Sequence, residues 1–121
     1  MKLEKIECDF SICQISNVEQ ADLSQKYVFV SKTTDEISLV CETCYVTADI
    51  VSCEHGWKAL KISGVLDFTM TGVIAKISDL LAKSDICIFV ISTYNTDYIF
   101  MKADNYDNGI RALEQSGYIV V

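Results

Sequence analysis

From residue 58 the hydrophobic pattern changes period four times, and each change marks an element. Lys58-Ala-Leu-Lys-Ile-Ser63 alternates, with Leu60 and Ile62 on one face, as a strand does. After Gly72, apolar positions Val73, Ile74, Ile77, Leu80 and Leu81 fall at helical spacing, with Asp79 and Lys83 on the wet face and Thr71 in place for an N-cap. Ile86-Cys-Ile-Phe-Val-Ile91 is apolar throughout and predicts a short interior strand buried on both faces. The polar stretch from Ser92 to Thr96 predicts a hairpin, and Asp97-Tyr-Ile-Phe-Met-Lys102 its return strand. Asp104 or Asn105 can cap a second helix carrying Tyr106, Ile110 and Leu113, with Gly117 just past its end; Tyr118-Ile-Val-Val121 closes as a strand. The order β-α-β-β-α-β, joined by right-handed crossovers, predicts an antiparallel four-stranded sheet with two helices on one face, the ferredoxin-like arrangement.

The first half is richer in strands. Ile6, Cys8, Phe10 and Ile12 alternate with other residues as in a half-buried strand, and Tyr27-Val-Phe-Val30 with Ile37-Ser-Leu-Val40 predicts a hairpin around Thr33-Thr-Asp-Glu36. The polar stretch 17–26 suits a short helical turn, and residues 47–56 have weak periodicity and contain the join between halves. Residues 1–54 therefore read as a reduced copy of 55–121, and the fold class as α+β, a complete C-terminal unit packed with a reduced N-terminal one.

Composition narrows the function. With half of its 121 residues hydrophobic, the chain can bury a core, and with no proline and five glycines it has no composition for a long linker. Seventeen acidic against ten basic residues give a formal charge of −7, which disfavours a nucleic-acid partner. No apolar run approaches the ~20 residues that span a bilayer, and Met1-Lys-Leu-Glu-Lys-Ile6 lacks the apolar core of a signal peptide, so the expected location is the cytoplasm and the expected state of the six cysteines is reduced. Cys41-x-x-Cys44 is the pair that invites a metal. On a continuing strand its two thiols would point to opposite faces, so no metal and no cofactor is expected. Cys8, Cys13 and Cys87 read as small core residues, and the lone His55 as a surface or join residue. No nucleophile elbow, Walker loop, dinucleotide fingerprint or zinc-protease helix is present, and no catalytic residue is assigned.

The richest chemical offer lies in two loops. A crossing helix would bring the loop before it and the hairpin after the next strand to one edge of the sheet. The helix start at Thr71, Gly72, Val73 and Ile74 offers unpaired backbone N–H groups and a partial positive charge, suited to a carboxylate. Asp67 and Asp97 offer acceptors for an ammonium, Thr93 adds a hydroxyl, and Thr69 and Met70 line the loop. On the residues alone, Asp67 and Asp97 also suit plain loop-shaping roles, and Trp57 and Phe68 suit packing.

Trp57-Lys-Ala-Leu-Lys-Ile-Ser-Gly-Val-Leu-Asp-Phe68, Gly72-Val-Ile-Ala75, Leu81-Ala82 and Ile91-Ser-Thr-Tyr-Asn-Thr-Asp97 resemble the small bacterial ACT-domain proteins with two tandem ACT-like units, and Thr33-Thr-Asp-Glu-Ile-Ser-Leu-Val40 resembles that family's first half. The pattern is similar to the ACT repeats of the animal cytosolic arginine sensors and, more distantly, to the regulatory domains of aspartate kinases. The resemblance implies a non-catalytic sensor that binds a small molecule, an amino acid above all, between paired ACT units; a homodimer is expected separately, because two helices can bury only one face of the C-terminal sheet. The matching contact segments are Asp67, Phe68, Thr69, Met70, Thr71, the helix start at Gly72, Val73 and Ile74, and the hairpin at Thr93 and Asp97. Thr69, Met70 and Thr71 differ from the arginine sensors' loop, so arginine does not follow. The competing reading is a constitutive assembly module without a ligand; a small enzyme using a cysteine comes last.

Overall fold

A computed structural model describes residues 1–65 and 70–121 of the chain. Its elements, in order, are β1 (Lys2–Ile15), the 3-10 turn η1 (Val18–Gln20), β2 (Val28–Lys32), β3 (Ile37–Glu42), the 3-10 turn η2 (Thr43–Tyr45), β4 (Ser52–Ile62), α1 (Val73–Lys83), β5 (Ile88–Ser92), β6 (Asp97–Lys102), α2 (Ala103–Gln115) and β7 (Ile119–Val120). They form two compact units: Met1–Glu7 with Lys58–Val121, and Cys8–Trp57.

In the larger unit the β-α-β-β-α-β order stands as the pattern predicts, and the fold is α+β of the ferredoxin-like kind. Its strand order is β7-β1-β4-β6-β5. The expected four strands are therefore five, because the start of β1 runs between β7 and β4. Lys2 and Leu3 pair in parallel with Ile119 and Val120, so the sheet is mixed. Leu3 is fully buried and explains the insertion: it joins Leu60, Ile62, Ile77, Leu81, Ile99, Met101, Ile110 and Leu113 in one apolar cluster. Burying a side chain of that size stabilises by about 1.5–3 kcal/mol.

Both helices end in the same device. At the end of α1 the Asp85 N–H donates to Ala82 O and the Ile86 N–H to Leu81 O; at the end of α2 the Gly117 N–H donates to Glu114 O and the Tyr118 N–H to Leu113 O. Each is a Schellman motif with a left-handed residue, Asp85 (φ 58°) or Gly117 (φ 97°). The starts differ from expectation. Gly72, not Thr71, is the N-cap of α1, and Lys102, not Asp104 or Asn105, that of α2; neither cap bonds a side chain.

Three strands also depart from the pattern. β4 begins at Ser52, inside the stretch read as a join, because Gly56 at φ 84° interrupts the alternation in mid-strand. The burial of β1 changes parity at Phe10–Ser11, so Cys13 and Ile15 are buried while Cys8 and Ile12 are only half-buried. The run Ile86 to Ile91 is not an interior strand. β5 hydrogen-bonds only to β6 among the described strands and stands at the margin of the sheet. Its two faces are both apolar for separate reasons: Ile88 and Val90 pack on the helix-covered core, while Phe89 stacks on Phe100 with ring centroids 4.5 Å apart.

In the smaller unit β2 pairs with β3 and β3 with β1, while the first part of β4 runs beside β1. Cys13, Ile15, Leu39 and Cys41 form its core. The hairpin β2–β3 has the strand lengths and register of β5–β6: Val28 lies opposite Cys41 as Ile88 lies opposite Met101, each sixty residues on (28 to 88, 41 to 101).

Candidate functional site

The hairpin between β5 and β6 is a turn closed by hydroxyls. The Thr93 N–H donates to Thr96 O at 2.8 Å, and Thr93 Oγ1 donates to the same carbonyl at 3.0 Å. Thr96 is 4% exposed, and its hydroxyl donates to Ile62 O at 2.8 Å, which ties the hairpin to the end of β4. The turn's position is thus set by a buried bond rather than by the exposed tip.

Opposite lies the start of α1. Its first helical N–H to find a carbonyl is that of Lys76, which donates to Gly72 O at 3.0 Å. The N–H groups of Val73, Ile74 and Ala75 precede it, in the first turn, where a helix leaves its donors without an intrahelical partner. Gly72 takes φ 75°, ψ 6°, a left-handed cap that carries no side chain over these donors.

Between the two lies a cavity of about 400 Å³, lined by Met70, by residues 72–75 and by residues 92–97. It lies wholly within the larger unit. Of the residues singled out in the sequence, it gathers Met70, Gly72, Val73, Ile74, Thr93 and Asp97. Thr71 lines a neighbouring cavity of about 370 Å³ with Met1, Lys76 and Tyr118; the two cavities share Met70 and Val73. Asp67, Phe68 and Thr69 lie outside the described residues.

The cavity adds Ala75, Ser92, Tyr94, Asn95 and Thr96, which the residue-by-residue reading did not pick out. Thr93 also differs from its expected part. Its proton is spent on Thr96 O, so toward a ligand it offers a lone pair only. Among the described lining residues, Asp97 is the one carboxylate and no Lys, Arg or His takes part. The walls therefore carry backbone N–H donors on one side and a carboxylate and hydroxyl oxygens on the other.

The smaller unit holds a different cluster that the sequence did not announce. Cys13 of β1 and Cys53 of β4 are disulfide-bonded, with Cα atoms 4.1 Å apart. This corrects the expectation that these thiols are free: forty residues separate them in sequence, but neighbouring strands bring them opposite each other. Fully buried Ser11 sits beside His55, Oγ to Nδ1 2.6 Å, and beside Thr43, Oγ to Oγ1 2.8 Å. His55 is exposed, as a surface residue should be, and its ring is tied to this strand pair through Ser11. Cys41 and Cys44 do not both lie on a strand as supposed, since β3 stops at Glu42 and η2 begins at Thr43. Burial raises the Cys41 thiol, with the neighbouring charge of Cys44 adding to it. No metal-holding group of three or more His, Cys, Asp or Glu side chains occurs among the described residues. No described helix is long and apolar enough to cross a membrane.

The family model for the ACT domain matches residues 52–115, more than half of the chain. Among solved structures, a protein from Agrobacterium tumefaciens is similar over 99% of this chain and 91% of its own, with 24% identity and a TM-score of 0.88. The regulatory subunit of aspartate kinase from Thermus thermophilus, in a ligand-free form, is similar over 95% of this chain and 96% of its own, with 12% identity and a TM-score of 0.66. Aspartate kinase from Clostridium acetobutylicum, an allosteric enzyme, is similar over 93% of this chain and 33% of its own, with 13% identity and a TM-score of 0.65.

Proposed function

Because this chain belongs to the ACT domain family, we propose that it is a regulatory module that binds a free amino acid, or a small zwitterion like one, and passes that state to a partner protein. One observation carries the proposal: the start of α1 and the β5–β6 hairpin line a single cavity of about 400 Å³. A carboxylate is served by the N–H groups of Val73, Ile74 and Ala75 and by the positive end of the helix. An ammonium is served by Asp97, with the Thr93 oxygen as a second acceptor. The regulatory subunit and the allosteric kinase among the structural neighbours support the regulatory half of the reading. The proposal gives the chain no catalytic step.

The test is a thermal-shift screen of the proteinogenic amino acids and common nucleotides. A ligand at ~100 times its dissociation constant adds about 2.7 kcal/mol of stability, visible as a shift of several degrees in a chain of this size. A shift with an amino acid and none with nucleotides is expected. No amino acid shifting the protein at millimolar concentration would overturn the reading.

A second reading has its own observation. β5 ends the strand order beside β6 among the described strands and is apolar from Ile88 to Ile91, none of them fully buried. Such an edge invites strand addition. We assign it to a second copy of the chain, making a homodimer whose assembly does not wait for a ligand. Light scattering on the ligand-free protein checks this: a dimer supports it, and a monomer at high concentration removes it.

A further inference from the structure

We propose that Cys13 and Cys53 form a thiol–disulfide exchange site that takes a low-molecular-weight thiol of the glutathione class. The two cysteines are joined across neighbouring strands of the smaller unit. Their surroundings are unequal. Cys13 is 3% exposed and belongs to the apolar core with Ile15, Leu39 and Cys41, whereas Cys53 is half-buried at that core's margin. An incoming thiolate can therefore reach the Cys53 sulfur and not the other. Beside that sulfur stands an imidazole: His55 Nδ1 is 4.0 Å from Cys53 Sγ. The same nitrogen is 2.6 Å from Ser11 Oγ, which is itself 2.8 Å from Thr43 Oγ1, so two hydroxyls hold the ring next to the sulfur.

The chemistry closes with two molecules of thiol. The first, as thiolate, attacks Cys53 Sγ; a new S–S bond forms and the Cys13–Cys53 bond breaks. Its electron pair leaves on Cys13 Sγ, which takes a proton. The second thiolate attacks the outer sulfur of the mixed disulfide, and Cys53 leaves as a thiolate and is protonated in turn. Two thiols are oxidised to one disulfide while Cys13 and Cys53 are reduced to two thiols. The imidazole of His55 is placed to stabilise the Cys53 thiolate in the second step and in the reverse reaction. Two other thiols of this unit, Cys8 and Cys41, are less suited. The Cys8 thiol is pushed up to about 11, by burial first and then by Glu42, and Cys41 is raised by burial.

The full-length protein is equilibrated in buffers of varied reduced-to-oxidised glutathione ratio, its free thiols are alkylated, and the Cys13 and Cys53 peptides are weighed. Conversion of the two together from bridged to alkylated within the range of the buffers is expected. A bridge that persists at the most reducing ratio makes it a fixed cross-link and overturns the proposal, as does a bridge that never forms at the most oxidising one. This arm needs no variant. In Cys13→Ser, oxidised glutathione adds to Cys53; in Cys53→Ser, Cys13 stays unmodified. Adding His55→Ala to Cys13→Ser slows the adduct on Cys53 about tenfold at neutral pH, the effect of losing an imidazole beside a thiolate. Equal labelling of Cys13 and Cys53 in the single variants, or an unchanged rate without His55, would overturn the assigned roles.

Discussion

Asp97 carries the charge among the described residues of the proposed site, and its place shows how much single residues disclosed. The sequence put it at the start of a return strand beside a polar turn, and there it lies, the first residue of β6 and a wall of the cavity. Removing its carboxylate takes away a charged acceptor but no core contact. Asp97→Ala is expected to weaken amino-acid binding by ~2 kcal/mol, about thirtyfold, while leaving the unfolding midpoint of the free protein nearly unchanged. Calorimetric titration of both proteins measures it, and equal affinities would take Asp97 out of the site. Other residues gave no such signal. Ser11 is a buried hydroxyl whose partners, Thr43 and His55, lie 32 and 44 positions away, and no local rule links such positions. Tyr106 was legible as core but not as a titrating group. Its hydroxyl donates to Ala59 O at 3.1 Å and is pushed up to about 12 by burial first, then by Glu7 and Asp107. The folded state thus holds this proton more tightly than the unfolded state, whose value is near 10. The stabilisation is whole below that value and drains as pH rises from it to about 12. Urea unfolding across this window is expected to show a steeper loss of stability in wild type than in Tyr106→Phe, which lacks the proton; parallel curves would contradict it.

At the scale of elements, periodicity located nearly every helix and strand of the larger unit, because each buries one stripe or one face. It failed where the backbone leaves the regular pattern. A threonine before a helical run is the ordinary sign of an N-cap, yet α1 is capped by Gly72 in a left-handed conformation. β4 was cut short in the reading because Gly56 interrupts it. β5 was read as interior because an apolar run records what touches its faces and says nothing of its edges. The Gly72 cap can be tested directly. A Cβ built there meets nothing within 4 Å, so a side chain costs only backbone strain at φ 75°. Gly72→Ala is expected to lose about 1–2 kcal/mol of stability. If the N–H groups of α1 hold the ligand, affinity falls as well, because relieving the strain re-aims the first turn. Thermal unfolding and titration of one variant report both effects. Unchanged stability would refute the strain, and unchanged affinity with lowered stability would move the ligand away from the helix start.

On the scale of the whole molecule, the two units carry the same hairpin with different company. Thr33 repeats the closure of Thr93: its N–H donates to Glu36 O at 2.9 Å, as that of Thr93 does to Thr96 O at 2.8 Å. The element ahead of each hairpin differs. The larger unit places the 11-residue α1 there, with no side chain on its cap. The smaller unit has only the 3-residue η1. Its start is closed by its own side chains: Asn17 accepts from the Glu19 N–H at 2.9 Å, and Gln20 Oε1 accepts from the Ser16 and Asn17 N–H groups at 2.8 and 3.1 Å. A single 3-10 turn sums few peptide dipoles, and its Glu19 and Gln20 N–H groups are already bonded to Asn17. Among the described residues, the half of the proposed chemistry that would receive a carboxylate is therefore present in the larger unit and not repeated at the matching place in the smaller one. The sequence showed the first half as a reduced copy and the stretch 17–26 as suited to a short helical turn, but hid this difference, because nothing in that polar stretch says that Asn17 and Gln20 close its start. The expected stoichiometry is one amino acid per chain, measured by calorimetric titration at a protein concentration well above the dissociation constant. A ratio of two would mean that the reduced unit binds by some means other than a helix start, and Asn17→Ala with Gln20→Ala would then change it; a ratio of one, unchanged in that double variant and lost together with affinity in Asp97→Ala, is the outcome that the geometry of the larger unit requires.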